Sequence, residues 1–155
     1  MALFRSSDWL NDRLNDRLWD PIRSLWVAAT PEERVRQHLI AKMVGEWGYP
    51  KGLLAVEKDL ASLAPGKFDP ERRIDLLCFA PEKRGGGVKP LLLIECKALP
   101  CEEGASQQLL SYNQWIGASF LCLVDPKNIC FMWEEKGGRK SLPYLPPYQE
   151  LLRCR

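Results

Sequence analysis

Hydrophobic positions recur along this chain at two different spacings, and the spacing changes wherever proline or glycine interrupts it. Leu10, Leu14 and Leu18 return every four residues within a repeated Leu-Asn-Asp-Arg, with Asp12, Arg13, Asp16 and Arg17 between them. This predicts a short amphipathic helix closed by Pro21. A second helix is predicted from Thr30 to about Gly48: Thr30 can cap it, Pro31 suits its first turn, and Glu33 stands three residues after the cap. Val35, Leu39, Ile40, Met43, Val44 and Trp47 give it a core-facing stripe, and His38 lies off that stripe as a solvated residue.

The spacing then shortens to two. Val56, Lys58 and Leu60 alternate with Ala55, Glu57 and Asp59 in a first strand from Leu53 to about Leu60. After a polar loop with Pro65, Gly66, Asp69 and Pro70, a second strand begins near Arg73 as RRIDLLCFA. Pro81 to Gly87 forms a loop too short to link domains, and PLLLIECKAL is a third strand, apolar on both faces before Glu95. Ala105 to Gly117 reads as a helix with Leu109, Tyr112, Trp115 and Ile116 on its apolar side. SFLCLVD and ICFMWEE, separated by Pro126, Lys127 and Asn128, read as a fourth and a fifth strand in a hairpin. From Ser141 onward Pro143, Pro146 and Pro147 predict an extended strap ending in a turn at Leu151 and Leu152. Five strands and two main helices are expected. The chain divides into an amphipathic helical arm, 1–29, and one α/β domain with a proline-rich tail, 30–155.

Composition narrows the class. At 155 residues and 46% hydrophobic content the chain suits one domain with a real core, and a net charge of +2 says little about partners. No apolar run approaches the roughly 20 residues of a bilayer span. Arg5, Asp8, Asp12 and Asp16 precede any apolar stretch, the wrong layout for a secretory signal. A cytoplasmic location is the expectation. The six cysteines form no CxxC pair and have only His38 beside them as a nitrogen ligand, so buried reduced thiols are expected, with Cys154 an exposed one.

The chemistry concentrates on the two middle strands. Glu95 and Lys97 point to one face of their strand. If the second and third strands form a hairpin in which Phe79 faces Leu91 and Leu77 faces Leu93, Asp75 falls opposite Glu95. Two buried carboxylates repel each other and lose solvation, and a hard cation with oxygen ligands relieves both costs. Magnesium fits best, because it takes one or two carboxylates, keeps waters and accepts phosphate oxygens. The competing reading is structural: Asp75 paired with Arg72 or Arg73, and Glu95 with Lys97, at a sheet end.

RRIDLLCF, LLLIECKA and QQLLSYN together resemble the PD-(D/E)XK nuclease superfamily, and TPEERVRQHLIAKMVGEWGYP resembles the amino-terminal nuclease domain of type I restriction enzyme R subunits. The resemblance covers about residues 30 to 135. It implies a restriction-endonuclease-like three-layer sandwich, a central mixed β-sheet flanked by helices, with Asp75 as the acid of the second strand and Glu95 and Lys97 as the E-x-K triplet. Gln108 and Tyr112 match the Q-x-x-x-Y element of RecB-like nucleases. Glu33, or else Glu32, matches an acid on the first helix that joins Asp75 and Glu95 at the metal.

Each of these has a plainer alternative. Glu33 also completes a capping box, Gln108 and Tyr112 also make a simple i, i+4 pair, and Glu57 reaches either the site or solvent. Arg72, Arg73, Lys83, Arg84 and Lys89 follow a nucleic-acid backbone or are solvated. The expected activity is Mg²⁺-dependent hydrolysis of DNA phosphodiesters, with Mn²⁺ as substitute. The chain has no GxxxxGK[ST] loop, so it does not translocate alone, and a separate helicase or translocase subunit is an expected partner. The rival readings are a catalytically silent DNA- or protein-binding module on the same fold and a Holliday-junction-resolvase-like dimer.

Overall fold

A computed structural model describes residues 16–101 and 104–155. The chain enters through a hairpin of β1 (Arg17–Asp20) and β2 (Leu25–Ala28). The expected helical arm therefore fails over its described part, while Leu10 and Leu14 lie outside the described residues. Local chemistry explains the change. The Asp20 carboxylate accepts the Ile22 and Arg23 amides at 2.8 and 2.9 Å, Ser24 adopts φ 55°, and Trp19 meets Trp26 across the strands edge to face at 5.6 Å. An Asx turn and an aromatic cross-strand pair outweigh the helical spacing of leucines.

Helix α1 (Pro31–Gly45) starts as its sequence dictates, with Thr30 Oγ1 accepting the Glu33 amide at 3.2 Å. Its stripe buries Val35, Leu39, Ile40 and Met43, while Val44 is exposed. A six-stranded sheet follows: β3 (Leu54–Asp59), β4 (Arg73–Pro81), β5 (Val88–Cys96), β6 (Phe120–Val124), β7 (Ile129–Glu135) and β8 (Gly138–Leu142), adjacent in that order. Only β5 and β6 run parallel, joined by the crossover helix α3 (Gly104–Ile116); a single turn, α2 (Leu60–Leu63), follows β3. The strand β8 exceeds the five expected. Its charged, exposed sequence hides it, but a Gly137–Gly138 turn with φ of 108° and 118° folds it back as the sheet edge, where Arg139 and Lys140 suit an edge strand.

The result is three layers, the restriction-endonuclease-like sandwich with a mixed sheet. Leu76, Cys78, Leu92, Ile94, Cys122 and Phe131 pack against α1 and against Tyr148 and Leu151 of α4 (Tyr148–Arg153). Leu77, Leu93, Leu121 and Met132 pack against Leu109 and Tyr112 of α3. The tail straps the first layer down: Tyr49 Oη donates to the Pro146 carbonyl at 2.7 Å, and the Tyr148 amide donates to the Trp47 carbonyl at 3.0 Å.

Candidate active site

The register places three acids in one row. Leu77 pairs with Leu93 and Leu76 with Ile94, so the same register carries Asp75 to Glu95. On the other side Val56 pairs with Leu76 and Lys58 with Ile74, which carries Asp75 to Glu57. Toward the far end of the hairpin Phe79 faces Pro90, not Leu91, because a bulge follows Cys78. Proline has no amide to give the ladder there, and Tyr148 Oη donates to the Phe79 carbonyl instead, at 3.2 Å. The bulge leaves the register at the acidic end intact.

Strand alternation lapses along this row. Ile74 and Leu77 belong to the α3 layer although an odd spacing separates them, and Glu57 holds a left-handed φ of 54°. Asp75 consequently reaches α1. Its Oδ1 accepts from Arg36 Nη2 at 2.5 Å and its Oδ2 from the Cys96 amide at 2.7 Å. Glu95 turns to Lys97, whose Nζ donates to Oε1 at 3.0 Å, while Glu95 Oε2 is buried with no hydrogen-bond partner. Burial, then the charge of Asp75, pushes the Glu95 carboxyl up to about 7 against the pull of Lys97. Burial works against the Lys97 ammonium, but its bond to Glu95 and the charges of Glu95, Asp75 and Glu32 outweigh that and raise its pKa.

Arg36 was not foreseen. It is 4% exposed, and its guanidinium meets Glu33 at 2.7 Å, Glu57 at 2.6 Å and Asp75 at 2.5 Å. The signal was present in the sequence, since Arg36 interrupts the inward stripe beside Val35, Leu39 and Ile40, where a charge needs a buried partner. Neither Arg72 nor Arg73 takes the Asp75 partnership; both are exposed, as are Lys83, Arg84 and Lys89. Glu33 spends its carboxylate on Arg23, Arg36 and Gln37 at 2.8, 2.7 and 3.0 Å. Glu32 is the helix acid that senses the centre: burial and the charge of Asp75 raise its pKa, and Lys97 lowers it. Glu57, left between site and solvent by its sequence, belongs to the site through Arg36.

Beyond Lys97 opens a cleft of about 410 Å³, lined by Leu99, Cys101 and Gln108 as well as Lys97. Gln108 Nε2 donates to Tyr112 Oη at 2.7 Å, and the Tyr112 ring is buried edge to face against Phe68. The i, i+4 pair thus has a core ring and an amide at the cleft. Asp125, 2% exposed, fixes the cleft wall by accepting the Lys127 and Asn128 amides at 2.8 and 2.9 Å and the Cys101 amide at 3.3 Å.

The donor set suits a hard divalent ion. Asp75 and Glu95 supply two carboxylates, and the unpartnered Glu95 Oε2 needs a donor or a cation. Among the described residues no three His, Cys, Asp or Glu side chains come together as a group that could hold a metal ion. A site with two carboxylates is the pattern of a hard ion that keeps waters rather than of a structural zinc.

Residues 31–146 match the profile of the type I restriction enzyme R protein N terminus. The chain belongs to that family. Among solved structures, a fragment described as an HsdR subunit of a type I restriction enzyme from Vibrio vulnificus YJ016 is 19% identical with a TM-score of 0.49, over 74% of this chain and 23% of that one. The chain thus spans less than a quarter of that fragment's length. No curated protein matches it. For this R-protein N-terminal domain the described residues include no helix long and apolar enough to cross a membrane. Cys78, Cys96 and Cys122 are buried free thiols whose pKa values burial raises, and Cys154 is exposed.

Proposed function

We infer that the chain is a Mg²⁺-dependent nuclease module that hydrolyses DNA phosphodiesters, acting with a separate motor or other subunit. The observation that carries this reading is the buried Glu95 oxygen without a partner, in a carboxylate that feels the charge of Asp75 and is bound to Lys97, which lines a cleft. Asp75 and Glu95 would hold the ion, which when bound withdraws charge from a phosphoryl oxygen and makes water a better nucleophile.

The protein's own groups do the rest. The Cys96 amide and Arg36 fix both oxygens of Asp75, so the carboxylate keeps one orientation. Lys97 stays an ammonium at neutral pH and presents its charge where the phosphate becomes more negative in the transition state. Releasing Glu95 Oε1 is the small rearrangement this requires. Tyr112 holds the Gln108 amide at the cleft wall, where it can steady Lys97 or the scissile strand. Supercoiled plasmid nicking with Mg²⁺ or Mn²⁺, tested beside Asp75→Ala and Lys97→Ala, checks the proposal. Nicking by the wild type alone supports it, and equal nicking by all three proteins sinks it.

One observation favours a second reading, a DNA- or protein-binding module that does not cut. Both Asp75 oxygens already have donors, so Asp75 is charge-compensated by Arg36 without a metal. DNA retained in a gel shift with EDTA, and left intact with Mg²⁺ and Mn²⁺ across pH 6 to 9, would establish that reading.

A further inference from the structure

The register sets Glu57 and Glu95 on either side of Asp75, so a cation shared by neighbouring carboxylates has two places to be considered. Two-metal sites hold their ions about 3.5–4 Å apart. Here the two places differ. On the Glu57 side stands the Arg36 guanidinium, within 2.5 and 2.6 Å of Asp75 and Glu57, and it also takes Glu33 at 2.7 Å. On the Glu95 side a buried carboxylate oxygen has no partner.

We propose that Arg36 occupies the seat of a second cation, so that the centre takes one divalent ion, between Asp75 and Glu95, and none between Asp75 and Glu57. The inference rests on the metal-dependent reading above and specifies its stoichiometry. Three features of the chain hold Arg36 there. The i, i+3 spacing on α1 sets Arg36 against Glu33, and Arg23 clamps Glu33 from the hairpin while bound to Asp20 at 2.5 Å. The left-handed backbone at Glu57 accompanies the turn of its carboxylate to the same guanidinium. Burial then makes the charge costly to leave unpaired, and the planar fork spans several carboxylates at once as a lysine does not. Asp75 Oδ1 and Oδ2 keep only their remaining lone pairs for an ion shared with Glu95.

Calorimetric titration of the whole chain with Mn²⁺, without DNA, tests this together with Arg36→Met and Asp75→Asn. The expected results are one ion per wild-type chain, its loss in Asp75→Asn, and two ions per chain in Arg36→Met, with a larger Mn²⁺-induced rise in melting temperature than in wild type. Two ions on the wild type, both lost in Asp75→Asn, overturn the inference while leaving the metal centre standing. A folded Arg36→Met that still binds one ion with wild-type affinity overturns it as well. If Arg36→Met does not fold, the wild-type count decides. No Mn²⁺ on the wild type overturns the metal reading itself, and this inference with it.

Discussion

Glu95→Gln should make the metal-free protein more stable above neutral pH, although it removes a group placed at the heart of the site. The native Glu95 carboxyl is pushed from its ordinary 4.5 up to about 7, first by burial and then by the charge of Asp75. Between these two values the folded chain keeps a proton that the unfolded chain has released, so stability falls as pH rises through the window and stays low above it. The gap corresponds to on the order of 3 kcal/mol. Glutamine keeps an oxygen for Lys97 and carries no charge to bury. Urea unfolding in EDTA at pH 4.5, 6, 7 and 8.5 should show wild type and variant nearly equal at the acid end and diverging toward the alkaline end, with the variant ahead by roughly 2–3 kcal/mol. A difference between the two proteins that does not change with pH would refute the reasoning.

Arg36→Met leaves Glu33, Glu57 and Asp75 without their shared cation, and a loss of about 3–5 kcal/mol in urea unfolding is expected, against nearly nothing for Arg139→Met at the exposed sheet edge. Lys97→Ala should lower the plasmid-nicking rate by at least about 100-fold with the far-UV circular dichroism spectrum unchanged, since the side chain is partly exposed and, among the described residues, forms its ion pair with Glu95. Asp125→Ala removes the acceptor for three backbone amides, that of Cys101 at the cleft among them; a loss on the order of 2 kcal/mol is expected, with faster hydrogen exchange at Cys101, Lys127 and Asn128.

The central strands were legible because the sequence states their chemistry twice, in the unbroken apolar run Leu91 to Ile94 and in the alternation that pairs Glu95 with Lys97. Helix α1 was nearly as legible, its cap and first-turn proline agreeing and Val35, Leu39, Ile40 and Met43 of its stripe buried, although Val44 is exposed and the helix ends at Gly45 rather than near Gly48. What sequence spacing missed were elements fixed by longer reach. β1 and β2 depend on a cross-strand tryptophan pair and an Asx turn that overrode a helical leucine spacing, and β8 depends on a glycine turn and an already formed edge for a strand whose own residues are polar. At the candidate site the two-residue spacing anticipated the Glu95–Lys97 contact and the strand register the neighbourhood of Asp75 and Glu95, but neither showed Arg36. Its partners lie on β3 and β4 as well as on its own helix, and no single-segment pattern contains them. Nor does the spacing of Glu33 reveal that Arg36 and Arg23 both bind its carboxylate.

The account turns on a divalent ion shared by Asp75 and Glu95, and diffraction from Mn²⁺-soaked crystals at the manganese edge addresses it most directly. One anomalous peak within coordinating distance of both carboxylates, with Arg36 still seated on Asp75 and Glu57, is the expected result. A map with no peak near Glu95, recorded at millimolar Mn²⁺ and a pH above 7, would contradict it.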